Sequence, residues 1–128
     1  MSQENVELAR RASEMFNRRD LHGFMGLMAM DVTFQPQLGA SSHGHEEIRR
    51  LWDALIEGSD LGAEVVEIRD LGADLVLAAV RERTRDARSG VRFEQTVWVP
   101  SRWLQGECVW WGIFLSEHDA LQALGLSE

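Results

Sequence analysis

TVWVPSRWLQGECVWWGIFL, residues 96–115, carries four of the chain's five tryptophans. It reads as two β-strands around a tight turn at Leu104-Gln105-Gly106. Pairing Leu104 with Glu107 sets Trp111 opposite Pro100 and Ile113 opposite Trp98. Alternation then places Thr96, Trp98, Pro100, Val109, Trp111, Ile113 and Leu115 on one face. Val97, Val99, Trp103, Cys108, Trp110 and Phe114 fall on the other. Both faces are apolar, so both require cover.

Working outward, the same period-2 pattern marks Glu64–Leu71 and Leu75–Arg85, joined at Gly72-Ala73-Asp74, and begins the tryptophan hairpin at Val91. Upstream the period is helical. Ser2 opens a helix with Leu8, Ala12, Met15 and Phe16 on one face. Asp20 caps a short second helix with Phe24, Leu27 and Met28 turned inward. Asp31–Gln35 alternates as a strand that Pro36 ends or places at an edge. After a Ser/Gly-rich loop, a third helix carries Ile48, Leu51, Trp52 and Leu55 on one face. Its Glu46 and Glu47 sit at the positive end of the dipole, and Gly58 stops it. Ser116 and Asp119 form a capping box for a last helix, Asp119–Leu124, closed by Gly125. The order is α+β: a curved, mostly antiparallel sheet with helices gathered on one face, in one domain over residues 1–128.

A net charge of −8 and arginines interleaved with acids (Arg81-Glu82-Arg83-Thr84-Arg85-Asp86) argue against nucleic acid as a partner. One cysteine, Cys108, rules out an intrachain disulfide and fits a reducing compartment. The opening MSQENVELARR lacks the apolar core of a signal peptide, and no apolar run reaches membrane-spanning length. A cytoplasmic protein without membrane contact is expected.

The ordered set of MSQENVELARRASEMFNRRDL, Asp31-Val32, Gly44-His45-Glu46-Glu47-Ile48-Arg49-Arg50, and Trp111–Leu115 followed by Asp119-Ala120-Leu121 resembles SnoaL-like proteins of the ketosteroid-isomerase or nuclear transport factor 2-like superfamily. The resemblance implies a cone-shaped fold, its sheet wrapped around the N-terminal helices. It also implies a pocket between sheet and helices and a homodimer through the outer sheet face. Fold alone does not settle function here. The steroid isomerases' Tyr and two Asp positions correspond to Ala12, Pro36, and Pro100 or Trp98, none able to exchange a proton. Positions that carry acid/base groups in cyclase-type members are Val97, Val99, Val109 and Ile113. No Asp-Arg-Asp set of the epoxide-hydrolase kind assembles inside the expected pocket.

Two functions follow. The first is binding of a small hydrophobic molecule in a pocket lined by Phe16, Phe34, Trp52, Trp98, Trp111 and Ile113, with Arg81 available for a carboxylate or phosphate if its strand face looks inward. The same apolar face reads equally as plain core. The second is isomerase, cyclase or hydrolase chemistry on a hydrophobic cyclic or polyketide-like substrate. That requires a proton carrier at the pocket, for which Asp31, Glu82, Glu94 and His45 are the candidates. No catalytic residue is assigned, and no cofactor is expected. His43-Gly44-His45-Glu46-Glu47 lacks a third convergent ligand and reads as a helix cap at His45 rather than a metal site. Gln35 and Gln37 flank the expected pocket mouth. Cys108 reads as a small buried hydrophobe.

Overall fold

The computed structural model describes residues 2–56 and 60–126. The expected stop at Gly58 lies outside them, as do the side chains of Ser2 and Leu55. In chain order the elements are α1 (Ser2–Asn17), α2 (Leu21–Gly26), β1 (Met28–Pro36), β2 (Ser42–His43), α3 (Gly44–Leu55), β3 (Gly62–Gly72), β4 (Leu75–Arg85), β5 (Arg92–Leu104), β6 (Glu107–Ile113) and α4 (Glu117–Ala123). The strands form one mixed sheet, ordered β2-β1-β6-β5-β4-β3. β1 runs parallel to β6, and the other pairs are antiparallel. The architecture is α+β, an open curved sheet wrapped around the N-terminal helices.

Local chemistry accounts for the boundaries. α1 turns Leu8, Ala9, Ala12, Met15 and Phe16 onto the core. The chain leaves it through Arg19, whose φ of 58° breaks the helix. Asp20 then caps α2, its carboxylate accepting from the Gly23 N–H at 2.9 Å. Met28, expected on that helix, instead opens β1 and pairs with Cys108. Two features of the Ser/Gly-rich loop differ from expectation. Ser42 and His43 form a two-residue strand against Thr33 and Phe34, and the N-cap of α3 is His43 rather than His45. The Glu47 carboxylate accepts from the His43 N–H at 2.7 Å and so pairs the cap residue's own donor. The ring of His45 faces the carbonyl of Met28 at 3.0 Å.

Both hairpin turns use consecutive left-handed residues, Ala73 and Asp74 (φ 54° and 67°) and Gln105 and Gly106 (φ 53° and 82°). That geometry matches the twist of the flanking strands. β3 is the free edge of the sheet. The Asn17 side chain covers part of it, accepting from the Ala63 N–H at 2.9 Å and donating to the Ala63 carbonyl. α4 starts two residues before the expected position, with Ser116 Oγ accepting from the Asp119 N–H at 3.1 Å.

The tryptophan hairpin departs from regular alternation. Leu104 does pair with Glu107, and Trp103 with Cys108, but Arg102 pairs with Trp110 and Ser101 with Trp111. Val109 is an extra residue in β6, a β-bulge that shifts every later residue of the strand by one position. Trp98 therefore lies opposite Phe114, not Ile113. The inner, helix-covered face carries Val97, Val99, Ser101, Trp103, Cys108, Trp111 and Ile113. The outer face carries Trp98, Pro100, Trp110 and Phe114. Trp111 and Ile113 are inward and Trp110 outward, as the alternation predicts, but Trp98 and Trp103 exchange places. The outer face is also not bare: Ala120 and Leu121 of α4 pack there on Leu77 and Phe114, beside Trp98 and Trp110. No helix among the described residues is long and apolar enough to cross a membrane.

Candidate functional site

Between the inner sheet face and the helices, five rings touch in sequence. Phe16 of α1 meets Trp52 of α3 edge-on, with centroids 5.9 Å apart. Trp52 meets Phe24 of α2 at 5.2 Å. Phe24 meets Trp111 of β6 edge-on at 5.9 Å, and Trp111 meets Phe34 of β1 at 4.2 Å. The first three separations lie within the range of favourable aromatic pairs, about 4.5–7 Å, and the Phe34–Trp111 pair is closer still. Trp52 and Phe34 are buried, whereas Phe16, Trp111 and Ile113 remain half-buried although they face inward. Val65, Ile68 and Val99 continue the apolar wall towards β3.

This brings together Phe16, Phe34, Trp52, Trp111 and Ile113 of the expected lining. It excludes the other two residues. Trp98 lies on the outer face with Leu77 and Phe114. Arg81 shares its face with Leu77 and Ala79, as expected, but that face is the outer one. It lines an open surface cavity of about 660 Å³ with Arg10, Ser13, Glu14 and Asn17 of α1. The neighbouring Arg83 is held between Glu94 (2.9 Å) and Glu64 (3.1 Å). The Glu94 hydrogen bond, followed by its charge, raises the pKa of Arg83 above its ordinary value.

The proton carriers named from sequence do not converge on the rings. Asp31 is exposed. Glu94 bonds Arg83 at the exposed end of the sheet. His45 is turned to a backbone carbonyl. Glu82 is on the inner face and accepts from Gln95 at 3.2 Å. It sits six residues along β4 from Val76, which is level with Ser101 and Trp111 across the sheet. At about 3.3 Å per residue that is roughly 20 Å. Gln37, expected at the pocket mouth, spends its amide on α4: it donates to Asp119 at 2.7 Å and accepts from the Leu115 N–H. Cys108 is buried, and desolvation pushes its thiol up to about 12, so it is no nucleophile near neutral pH. Among the described residues, no group of three or more His, Cys, Asp or Glu side chains could hold a metal ion.

The buried polar residues among those described are Asn5 and Ser101, and sequence reasoning missed both. Ser101 alternates with Val97, Val99 and Trp103, so correct placement of Trp103 would have found it. Asn5 is one and two helical turns from Ala9 and Ala12, on their face of α1. Phe24, which joins the two halves of the ring chain, was legible as inward-facing but not as the link.

The SnoaL-like domain model matches residues 9–103. The chain belongs to the SnoaL-like domain family. Several solved structures are similar in fold to this SnoaL-like domain. One is an NTF2-like protein of unknown function from Burkholderia pseudomallei, 22% identical with a TM-score of 0.79, the match covering 95% of this chain and 97% of that one. Another is Rv0760c from Mycobacterium tuberculosis in complex with estradiol-17β-hemisuccinate, at 16% identity, TM-score 0.78, and 89% and 95% coverage. A third is TerC co-crystallized with polyporic acid, at 18% identity, TM-score 0.78, and 94% and 97% coverage. No match is found among curated proteins. At these identities the likeness establishes the shared NTF2-like fold.

Proposed function

We propose that this SnoaL-like domain binds a small, flat, uncharged hydrophobic molecule against its inner aromatic chain, without acid/base catalysis. The observation that carries this is the five-ring contact series, set in a region whose buried polar residues, among those described, are Asn5 and Ser101. Inward-facing residues that stay half-buried, namely Phe16, Trp111 and Ile113, are surfaces on which a ligand gains apolar contact. Each aromatic newly covered contributes on the order of 1.5–3 kcal/mol. The complexes of two similar folds, with estradiol-17β-hemisuccinate and with polyporic acid, support a ring-bearing hydrophobic ligand; both of those molecules also carry an acidic group, so the absence of charge rests on this chain's own lining. Isomerase, cyclase or hydrolase chemistry would need a carboxylate or imidazole beside the ligand. Asp70 and Glu82, inner-face carboxylates of the sheet, both stand away from Trp111: Asp70 is exposed three strands across on β3, and Glu82 is six positions along β4 from the level of Trp111.

Tryptophan emission titrated with estradiol and with 2-acetylnaphthalene tests the reading. Saturable quenching, weakened by Trp52→Ala or Phe34→Ala, is the expected result. A flat titration with both probes, together with an unchanged melting temperature, rejects it.

The proposal extends to a cytoplasmic homodimer paired through the outer sheet face. α4 covers only part of that face and leaves Trp98 and Trp110 half-buried, with Leu115 exposed. Sedimentation velocity of wild type and Trp110→Glu should give a dimer and a monomer. A wild-type monomer at micromolar concentration removes the dimer from the proposal.

A further inference from the structure

Two indoles on the inner face are treated differently. The Trp103 N–H donates to Ser101 Oγ at 2.8 Å, and both residues are buried. The Trp111 N–H is closed to solvent and has no hydrogen-bond partner. Trp111 lies directly across the strand pair from Ser101, but that oxygen already accepts from Trp103. The rings packed on Trp111 are Phe24 and Phe34, which offer only aromatic carbon. An aromatic face is a weak acceptor and does not replace an oxygen. Native proteins seldom leave a buried donor unpaired, and such donors call for an explanation.

We infer that the Trp111 indole N–H is the polar anchor of the binding site, and that the ligand carries a neutral acceptor oxygen at the edge of its ring system. This inference rests on the binding reading above. The charge of the ligand follows from the surroundings. With Asn5 and Ser101 as the buried polar residues, a carboxylate or phosphate placed against Trp111 would lie unpaired at a high desolvation cost. A carbonyl or hydroxyl oxygen carries no such penalty and pairs the orphaned donor. A pure hydrocarbon leaves the donor as it is. Trp111 thus selects among flat apolar molecules of equal size by the presence of one oxygen.

The test compares 2-acetylnaphthalene with 2-ethylnaphthalene, which are alike in shape and differ in that oxygen. Calorimetric titration of the wild-type protein should show the ketone binding about tenfold tighter, the size of one neutral hydrogen bond. Trp111→Phe keeps an aromatic ring, removes the donor, and should abolish or reverse the preference. Equal binding of both probes to wild type overturns the inference and leaves the binding reading standing, as does a preference that survives in Trp111→Phe. Binding of neither probe fails the binding reading, and this inference with it. If Trp111→Phe does not fold, the wild type still decides. Among its five indole N–H resonances, one should move downfield with the ketone and stay in place with the hydrocarbon. No such movement overturns the inference.

Discussion

Ser101→Ala isolates the role of the buried inner-face hydroxyl. Ser101 Oγ is the acceptor for the Trp103 N–H at 2.8 Å, and Trp103 is only 2% exposed. Removing the oxygen strands a buried indole donor that water cannot reach, which costs about 1–3 kcal/mol. At this chain length each kcal/mol lowers the melting temperature by about 4 °C, so the variant should melt about 4–12 °C below wild type. The Cβ left as a methyl group is itself well accommodated in an apolar site and no longer buries a hydroxyl, so the single variant understates the bond. A double-mutant cycle with Trp103→Phe removes that ambiguity. In the Trp103→Phe background no donor remains to be stranded, and Ser101→Ala should be close to neutral. Urea unfolding of the four proteins gives the coupling directly, expected at about 1 kcal/mol or more. If Ser101→Ala costs the same in both backgrounds, to within the roughly 0.3–0.5 kcal/mol scatter of independent sites, the reasoning is wrong. The Trp103 indole would then not depend on Ser101.

Gly112→Ala should destabilise by about 1–3 kcal/mol in urea melts, because its Cβ would lie 2.7 Å from the Gln35 carbonyl oxygen and 2.7 Å from the Phe114 ring, splitting the parallel β1–β6 pair. Leu121→Ala should cost about 2–4 kcal/mol by the same assay and increase binding of an apolar dye, since Leu121 holds α4 over the outer-face cluster. Cys108 should resist a thiol-reactive disulfide in native protein at pH 8 and react at once in urea. Its folded pKa of about 12 lies above the 9.0 of a free thiol, so its contribution to stability is full below pH 9 and lost as pH rises towards 12. Cys108→Ala should accordingly lose less stability between pH 8 and pH 10.5 than wild type, and identical losses would contradict the buried-thiol account.

Much of the fold was legible because its signals are local. The helical spacing of Leu8, Ala12, Met15 and Phe16, the Asp20 and Ser116 caps, and the apolar, β-prone opening of Leu75–Arg85 each act within a few residues of chain. The structure places these elements within about two residues of expectation. The two-residue strand β2 was not legible, because Ser42 and His43 have no strand pattern of their own and form one only against Thr33 and Phe34. The cap of α3 was misplaced for a related reason. His45 precedes the apolar face attractively, but its ring is taken by the Met28 carbonyl, 17 residues away in sequence and adjacent only after folding. Arg81 was placed on the correct set of alternating residues, yet which set faces the helices depends on where α1 and α4 dock. Strand alternation carries no information on that.

The site turns on the single extra residue Val109. With Leu104 paired to Glu107 and no bulge, Trp103 facing inward would bring Trp110, Gly112 and Phe114 to the inner face across from Ser101, Val99 and Val97. The inner wall would then have a hole at Gly112, and Trp111 and Ile113 would point at α4. The bulge lets Trp103 and Cys108 fill the closed end of the sheet while Trp111 and Ile113 also turn inward beside Phe34. It equally puts Phe114 outside, where Leu121 and Ala120 cover it. A bulge bends its strand and re-aims the side chains beyond it, which is why such features gather near binding sites. Here it reconciles two demands that strict alternation cannot meet in one strand: an apolar plug at the turn and an indole with a free N–H midway along the same face. The Val109 insertion, rather than any single aromatic, therefore decides which tryptophans a ligand can meet.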